Sequence, residues 1–298
     1  MTNIKKDFSQ TRLDQIDTKT VECKPPEFLT HEGERAWRKH VLTVALRTFG
    51  DKGYDAGLAG HFTVRDPEHT DRFWVNPMDQ HLSLMISDDL VLVGHDGKIY
   101  EGNRPANSGA FSVHAAIHAA RPDIISSIHT HLTYSKVLAM KGDVIKPTTQ
   151  DSCPFYNDMA VYEAYDGVPS EKRIGEEIME VLGDKNSVVM KHHGALTVGS
   201  SIEAAAFLFL ELEKCAEDQV LAEQAYGSNL PELAPVVAQE VHDYLTSPYA
   251  LWLSFQSEYA KTCHDHGLTF EVPDEELKAR RDQNQKSENT AFDSRKPQ

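Results

Sequence analysis

The chain has 298 residues, 26% of them charged and 40% hydrophobic, which is enough apolar material for one large domain and too much for disorder throughout. Acidic residues outnumber basic ones to give a formal charge of −16, which argues against a general nucleic-acid surface or an anchor on an anionic membrane. The four scattered cysteines (Cys23, Cys153, Cys215, Cys263) make neither a disulfide framework nor a CxxC pair, no stretch reaches the length of a membrane span, and the amino terminus lacks an apolar leader core. The expectation is a soluble protein of a reducing, cytoplasmic compartment.

Residues 1–28 are polar and broken by "KPPE", and read as a flexible arm. From "HEGERAWRKHVLTVALRTFGDKGYD", the apolar Trp37, Val41, Leu42, Val44, Ala45 and Phe49 recur at helical spacing until "DKGYD" closes the helix. "GHFTVRD" and "RFWVNP" read as strands, the second stopped by Pro77. "LVLVGHDGKIYEG" is a hairpin with its turn around Asp96 and Gly97. "SGAFSVHAAIHAARPD" is helical up to Pro122, and "IISSIH" returns as a strand. "SEKRIGEEIMEVLGD" is an amphipathic helix with a Ser170 cap and a Gly183 stop. "SVVMKHHGALTVG" is a strand, a turn and a strand, "SIEAAAFLFLELEKCAEDQVLAEQAYG" is a long helix, and two more helices surround "VVAQEVHDYLTS" and "YALWLSFQSEYAKTCHDHG". No linker or repeat divides residues 29–272, which read as one domain, and residues 273–298 read as a solvated polar tail. Little regular βαβ alternation remains, so the expected architecture is a mixed or antiparallel sheet covered by helices.

The chemistry concentrates in histidine. His129 and His131, in "IISSIHTH", are two apart at the end of a strand, so both side chains leave one face, with Cα atoms roughly 7 Å apart. Two imidazoles so placed can share one metal ion, and the pair alone also fits two polar residues bonded to their neighbours. "VVMKHHGALTVG" adds His192 and His193 before Gly194, where the backbone can turn sharply. Adjacent strand residues face opposite ways, so one of the two joins the site, and His193, beside the glycine, is the candidate. Three imidazoles with an open position are the donor set of a catalytic divalent metal. His114 and His118, at helical i, i+4 spacing, have the frame of a zincin helix but Ala115 where its glutamate would stand, and read as packed against the sheet.

"GHFTVRD", "VNPMDQHLSLMISDDLVLVGHDGKIYEGN", "SVHAAIHAARPDIISSIHTH" and "VVMKHHGALTVGSSIEAAAFLFLELEKCAEDQVLA" resemble, in order, the signatures of the class II aldolase/adducin family, from about residue 33 to about residue 230. The resemblance implies an α/β fold, three-layer α/β/α around a central, mostly antiparallel sheet. It also implies one divalent metal per subunit, zinc first and manganese or iron as alternatives, held by His129, His131 and His193. Members are commonly ring-shaped homotetramers with sites at subunit junctions. In the sugar-phosphate aldolases the metal polarises substrate oxygens and stabilises an enediolate. A glutamate one helical turn before the helix histidine serves there as acid/base, and the position that matches, counted back from His114, is Ala110. Asp151 and Tyr156, in "QDSCPFYND", are candidates for the missing proton carrier. Phosphate-binding positions also differ: His61 in "GHFT" stands for an asparagine, while Asn107 and Ser108 can still donate and Arg104 can pair with an anion. Arg65 and Arg104 fit ordinary salt bridges as well. Tyr156, Tyr162, Tyr165, Trp252 and Phe255 either line a site or pack in the core or a subunit interface.

These residues support a metal-dependent lyase, aldolase-like or decarboxylating, on a small oxygenated carbonyl or carboxylic acid. Decarboxylation needs no base to take a proton from the substrate, so it tolerates the missing glutamate. The alternatives are a non-haem iron oxygenase on the same fold and a non-catalytic adducin-like interaction module. Retention of all three presumed ligands, and the absence of a long basic tail, favour the enzyme.

Overall fold

Eight strands form one sheet, in the order β4-β3-β2-β1-β5-β8-β7-β6. They are β1 (Gly60–Arg65), β2 (Arg72–Val75), β3 (Val91–Gly94), β4 (Ile99–Glu101), β5 (Ser126–Thr130), β6 (Met159–Tyr162), β7 (Ser187–Met190) and β8 (Gly194–Gly199). Every neighbouring pair is antiparallel except β6 with β7. Those two are joined by a crossover through α4 (Lys172–Leu182). The computed structural model describes residues 24–293 apart from 56, 166 and 168–171, with backbone alone at 108–110 and 285–293. The arm up to residue 23 and the Ser170 cap lie outside the described residues.

Side-chain alternation along the strands builds the two outer layers. Phe62, Val64, Trp74, Leu92, Ile128, Val189 and Ala195 face a core completed by α1 (His31–Asp51) and α5 (Ile202–Tyr226). Phe255 of α7 (Pro248–His266) joins the same core. Val188, Met190, Leu196 and Val198 face the other way, onto Val113 and Ile117 of α2 (Ser108–Ala120) and Ile174 and Ile178 of α4. The sheet is thus covered on both faces, as the α/β/α expectation requires, and His61, Thr63, Ser127 and His129 share the α2 side in register.

Local chemistry explains the element ends. Thr30 caps α1 by accepting from Gly33 N at 3.0 Å, with Glu32 and Glu34 in the first turn. The hairpin between β3 and β4 turns through Gly97 at φ 80°. The Arg65 guanidinium donates to four carbonyl oxygens, those of Ile124, Thr70, His118 and Arg121, at 2.7–3.1 Å, and so closes the C-terminal end of α2.

Three elements differ from expectation. Helix α3 (Thr133–Lys141) follows β5 directly, and it has no cap of its own: the Glu213 carboxylate of α5 accepts from Tyr134 N and Ser135 N at 2.8 Å. The short β6 is the second. Helix α6 (Pro235–Leu245) precedes α7 as expected, but the stretch read as a solvated tail begins α8 (Asp274–Asp293). Glu276 of α8 is fully buried and accepts from Leu29 N, Thr30 N and Thr30 Oγ1 at 2.8–3.1 Å. The last residue of the expected arm is docked as well, Phe28 lying 6.1 Å from the rings of both Trp37 and Phe270.

Glu276→Ala leaves those donors buried without an acceptor, which costs about 1–3 kcal/mol; chemical denaturation should read that loss, and amide exchange should speed up at residues 29–33. Asp66 offers a pH test. Burial opposes its charge, but bonds from Arg35, His69 N, Trp74 Nε1 and Glu68 N win and hold its carboxyl near 2. Its stabilisation is therefore full above the unfolded value of about 3.9 and disappears as pH falls through about 2. The thermal midpoints of wild type and Asp66→Asn should converge over that interval.

Candidate metal centre

At one end of the sheet, on the α2 face, β5, the turn before β8 and β1 bring imidazoles together. The ring centroids of His129, His131 and His193 are 4.7–4.9 Å apart, and one nitrogen from each lies within 4.8 Å of the others. The expected i, i+2 pairing of His129 and His131 holds, with the two Nε2 atoms 3.1 Å apart.

His193 joins for a reason other than strand alternation. β7 ends at Met190 and β8 begins at Gly194, so Lys191, His192 and His193 make the turn, with His193 N bonded to Met190 O at 3.0 Å. The left-handed residue is His192, at φ 61°, whose N–H is spent on Ala139 O. Gly194 does not have a positive φ, and what it provides is space. A Cβ there would lie 3.1 Å from His131 Cδ2, 3.1 Å from Thr130 O and 3.4 Å from His129 Cε1. A side chain there would press on both rings, which would have to give by a few tenths of an ångström.

A backbone carbonyl settles the tautomer of His129. Its Nδ1 is 2.8 Å from Ala195 O, which can only accept, so Nδ1 carries the hydrogen and Nε2 presents a lone pair to the other two rings. Burial above all, reinforced by His193, His131 and His61, holds His129 well below the ordinary histidine range. Burial likewise lowers His193 to about 4 and pushes His131 down, with Lys136 adding to the latter. All three rings are neutral near pH 7, the state in which imidazole ligates metal.

The remaining expected residues divide. His61, paired in register with His129, packs 5.7 Å from its ring and bonds through Nε2 to Leu58 O at 3.0 Å. Asn107 Nδ2 donates to the same carbonyl at 3.0 Å, next to His61. Ser108 and Ala110 stand in the first turn of α2, where their side chains fall outside the described residues. Arg104 is not left for an anion: it bonds Asp79 at 3.2 Å, Asp89 at 2.7 Å, and Gln80. Arg65 is likewise committed to carbonyl oxygens and is buried rather than at a surface salt bridge. Asp151 and Tyr156 are not brought to the imidazoles within the chain. Asp151 is exposed, with its carbonyl oxygen near Cys215 Sγ of α5, and Tyr156 closes the 3-10 turn Cys153–Phe155 that packs on α6. Their segment belongs to the opposite layer, because Phe155 and Met159 enter the α1/α5 core.

Of the aromatics, Tyr165 reaches the site, 6.5 Å from the His193 ring, while Phe255 is core. His114 and His118 are buried against β1 through Thr63, as expected of packed helix residues. Ala195 O and Glu213, which orient His129 and the chain beyond His131, carry no motif and were not legible. A cavity of about 720 Å³ lies elsewhere, against Phe111, Ala115, Ala119 and Met179 of α2 and α4.

A helix-covered, mostly antiparallel sheet with an imidazole trio at one end defines a class of α/β proteins with a candidate metal site. Residues 40–220 match the model of the class II aldolase and adducin N-terminal domain. The chain is 38% identical over 80% of its length, and 86% of the relative's, to 4-hydroxy-3-prenylphenylpyruvate oxygenase/4-hydroxy-3-prenylbenzoate synthase of Streptomyces roseochromogenus subsp. oscitans. It is 39% identical to decarboxylase NovR of Streptomyces niveus, over 78% of this chain and 86% of that one. Among solved structures, L-fuculose 1-phosphate aldolase from Glaciozyma antarctica PI12 superposes with a TM-score of 0.76 at 35% identity, covering 83% of this chain and 96% of that one. The chain belongs to the class II aldolase and adducin family.

Gly194→Ala should separate the three rings without disturbing the sheet: far-UV circular dichroism unchanged, and zinc affinity, read by competition with a chromogenic chelator, lower by about tenfold or more.

Proposed function

We propose that the protein is a divalent-metal-dependent lyase that breaks a carbon–carbon bond in a small oxygenated carbonyl or carboxylic acid substrate. The observation that carries this reading is the convergence of His129, His131 and His193. Two nitrogens on one tetrahedral zinc ion are about 3.3 Å apart, from Zn–N distances of about 2.0–2.1 Å, and the 3.1 Å between His129 Nε2 and His131 Nε2 fits that demand. Zinc is the first candidate, one ion per subunit, with manganese and iron as alternatives. When bound, such an ion supplies a Lewis acid that draws electrons from vicinal substrate oxygens.

The chain's own residues do the positioning. Ala195 O orients His129, the turn from Met190 presents His193, and Glu213 fixes the start of α3 just beyond His131. No carboxylate joins the imidazole group among the described residues. Decarboxylation is therefore favoured over aldol cleavage, because carbon dioxide departs without a base removing a proton from the substrate. One relative is named a decarboxylase, in accord with this choice. A second reading, oxygen chemistry at iron held by the same three rings, is supported by the relative named an oxygenase. An adducin-like interaction module is the third, and the preserved imidazole trio counts against it. Exposed apolar side chains on α6 and α7, among them Val236, Tyr244 and Leu253, support a homo-oligomer, with a tetramer expected.

Metal analysis on protein purified without chelator should find close to one equivalent, falling more than tenfold in His129→Ala and His193→Ala. Equal trace metal in all three proteins would end both enzyme readings. With metal present, carbon dioxide release from a panel of hydroxy and keto acids under nitrogen marks the lyase, and release that requires oxygen marks the oxygenase.

A further inference from the structure

The carboxyl group of Glu203 takes no part in the metal centre. It stands in the first turn of α5, only 4% exposed, and no basic side chain pairs with it among the described residues. Burial raises it above the ordinary carboxylate range, against the smaller pull of its own N–H, Ser201 and Trp252. The Nε1 of Trp252 is buried nearby without completing a hydrogen bond. An acidic group so short of partners is costly to enclose in a fold.

Glu203 lines a cavity of about 200 Å³ whose other walls include the rings of Phe28, Trp37 and Trp252. Pro25, Pro26 and Ser200 belong to the same lining and are exposed, so the cavity is reached from solvent. It lies at the far end of the strands that carry the imidazoles: Ile125 precedes β5 and Ser200 follows β8, roughly 15 Å by strand rise from His129 and Gly194. Two further charged residues line it, Glu34 and Arg38, and they neutralise each other as an i, i+4 pair. One acidic group is left over, which selects a cation. A hard metal ion takes six or so oxygen ligands and would meet a single carboxylate among aromatic walls. A primary ammonium carries three N–H donors that each need an acceptor, and the Ser201 hydroxyl already accepts from Ala204 N at 3.1 Å. A methylated ammonium needs no hydrogen bond and is attracted to aromatic rings.

We propose that this cavity is a binding site for a small methylated ammonium ion, whose charge is balanced by Glu203 and whose methyl groups pack against Phe28, Trp37 and Trp252. The site is separate from the imidazole trio and does not depend on which reaction takes place there.

Choline and 3,3-dimethylbutan-1-ol are probes of one shape, with a quaternary nitrogen in the first and a carbon in its place in the second. Both are titrated calorimetrically into the full chain in potassium chloride at about 0.15 M, which screens the general attraction of a −16 chain for cations. Choline should bind about tenfold more tightly than the alcohol. It should also change the tryptophan emission, because two of the three tryptophans line the cavity. In Glu203→Gln, which keeps the size and removes the charge, the preference should fall to near parity. Equal binding of the two probes, a preference unchanged in Glu203→Gln, or no heat from choline at millimolar concentrations would each overturn the proposal. The comparison of probes in wild type keeps the test decisive even if the variant does not fold. Zinc uptake, measured on the same samples, should be equal in wild type and Glu203→Gln, and its loss in the variant would overturn the separation of the two sites.

Discussion

The hydrogen bond from His129 Nδ1 to Ala195 O is the interaction on which the site depends. It assigns the proton of a buried ring, and so decides which nitrogen faces His131 and His193. The carbonyl comes from β8, in register beside β5, and the residue before it is the glycine that lets the rings close. One strand pairing thus supplies both the orientation and the room. A slip of one residue between β5 and β8 would turn His129 to the other face and replace Gly194 by a residue with a Cβ.

The rings are neutral because they are buried, and the charge of the chain plays little part at that point. A formal charge of −16 is carried mainly by side chains on other surfaces, while the donor set contains no carboxylate. Neutral donors leave the positive charge of any bound cation uncompensated, which favours polarising an anionic or carbonyl oxygen brought to it. The same burial means that the hydrogen bond from His129 Nδ1 to Ala195 O defines which nitrogen of that ring is available.

Much of this was legible in the sequence. Trp37 to Phe49 at helical spacing gave α1, Asp96-Gly97 gave the hairpin, and the i, i+2 histidines gave half of the site, because these signals are local and repeat with the period of the element. What failed was non-local. Helix α3 is capped by Glu213, from a different helix 78 residues away, so no cap shows in its own stretch. The strand β6 has four residues and reads as nothing until β7 pairs with it. Arg104 has the composition of an anion binder, and only the fold reveals that Asp79 and Asp89 already hold it. Asp151 and Tyr156 had the right chemistry on the wrong layer, a fact set by the packing of Phe155 against the α1/α5 core. His193 rather than His192 lies with the other two imidazoles, and the turn conformation of His192, rather than alternation, is the cause.

The carboxylate of Glu276, 246 residues downstream of Thr30, has a bearing on how the chain comes to be folded. During synthesis the first turn of α1 emerges long before its closing acceptor, which follows 246 residues after Thr30. Helix α1 therefore waits for that acceptor until α8 has been made. Closing so long a loop is slow, though its entropic cost grows only logarithmically with length. Helices α1 and α8 are thus completed in one event, although the first is made long before the second.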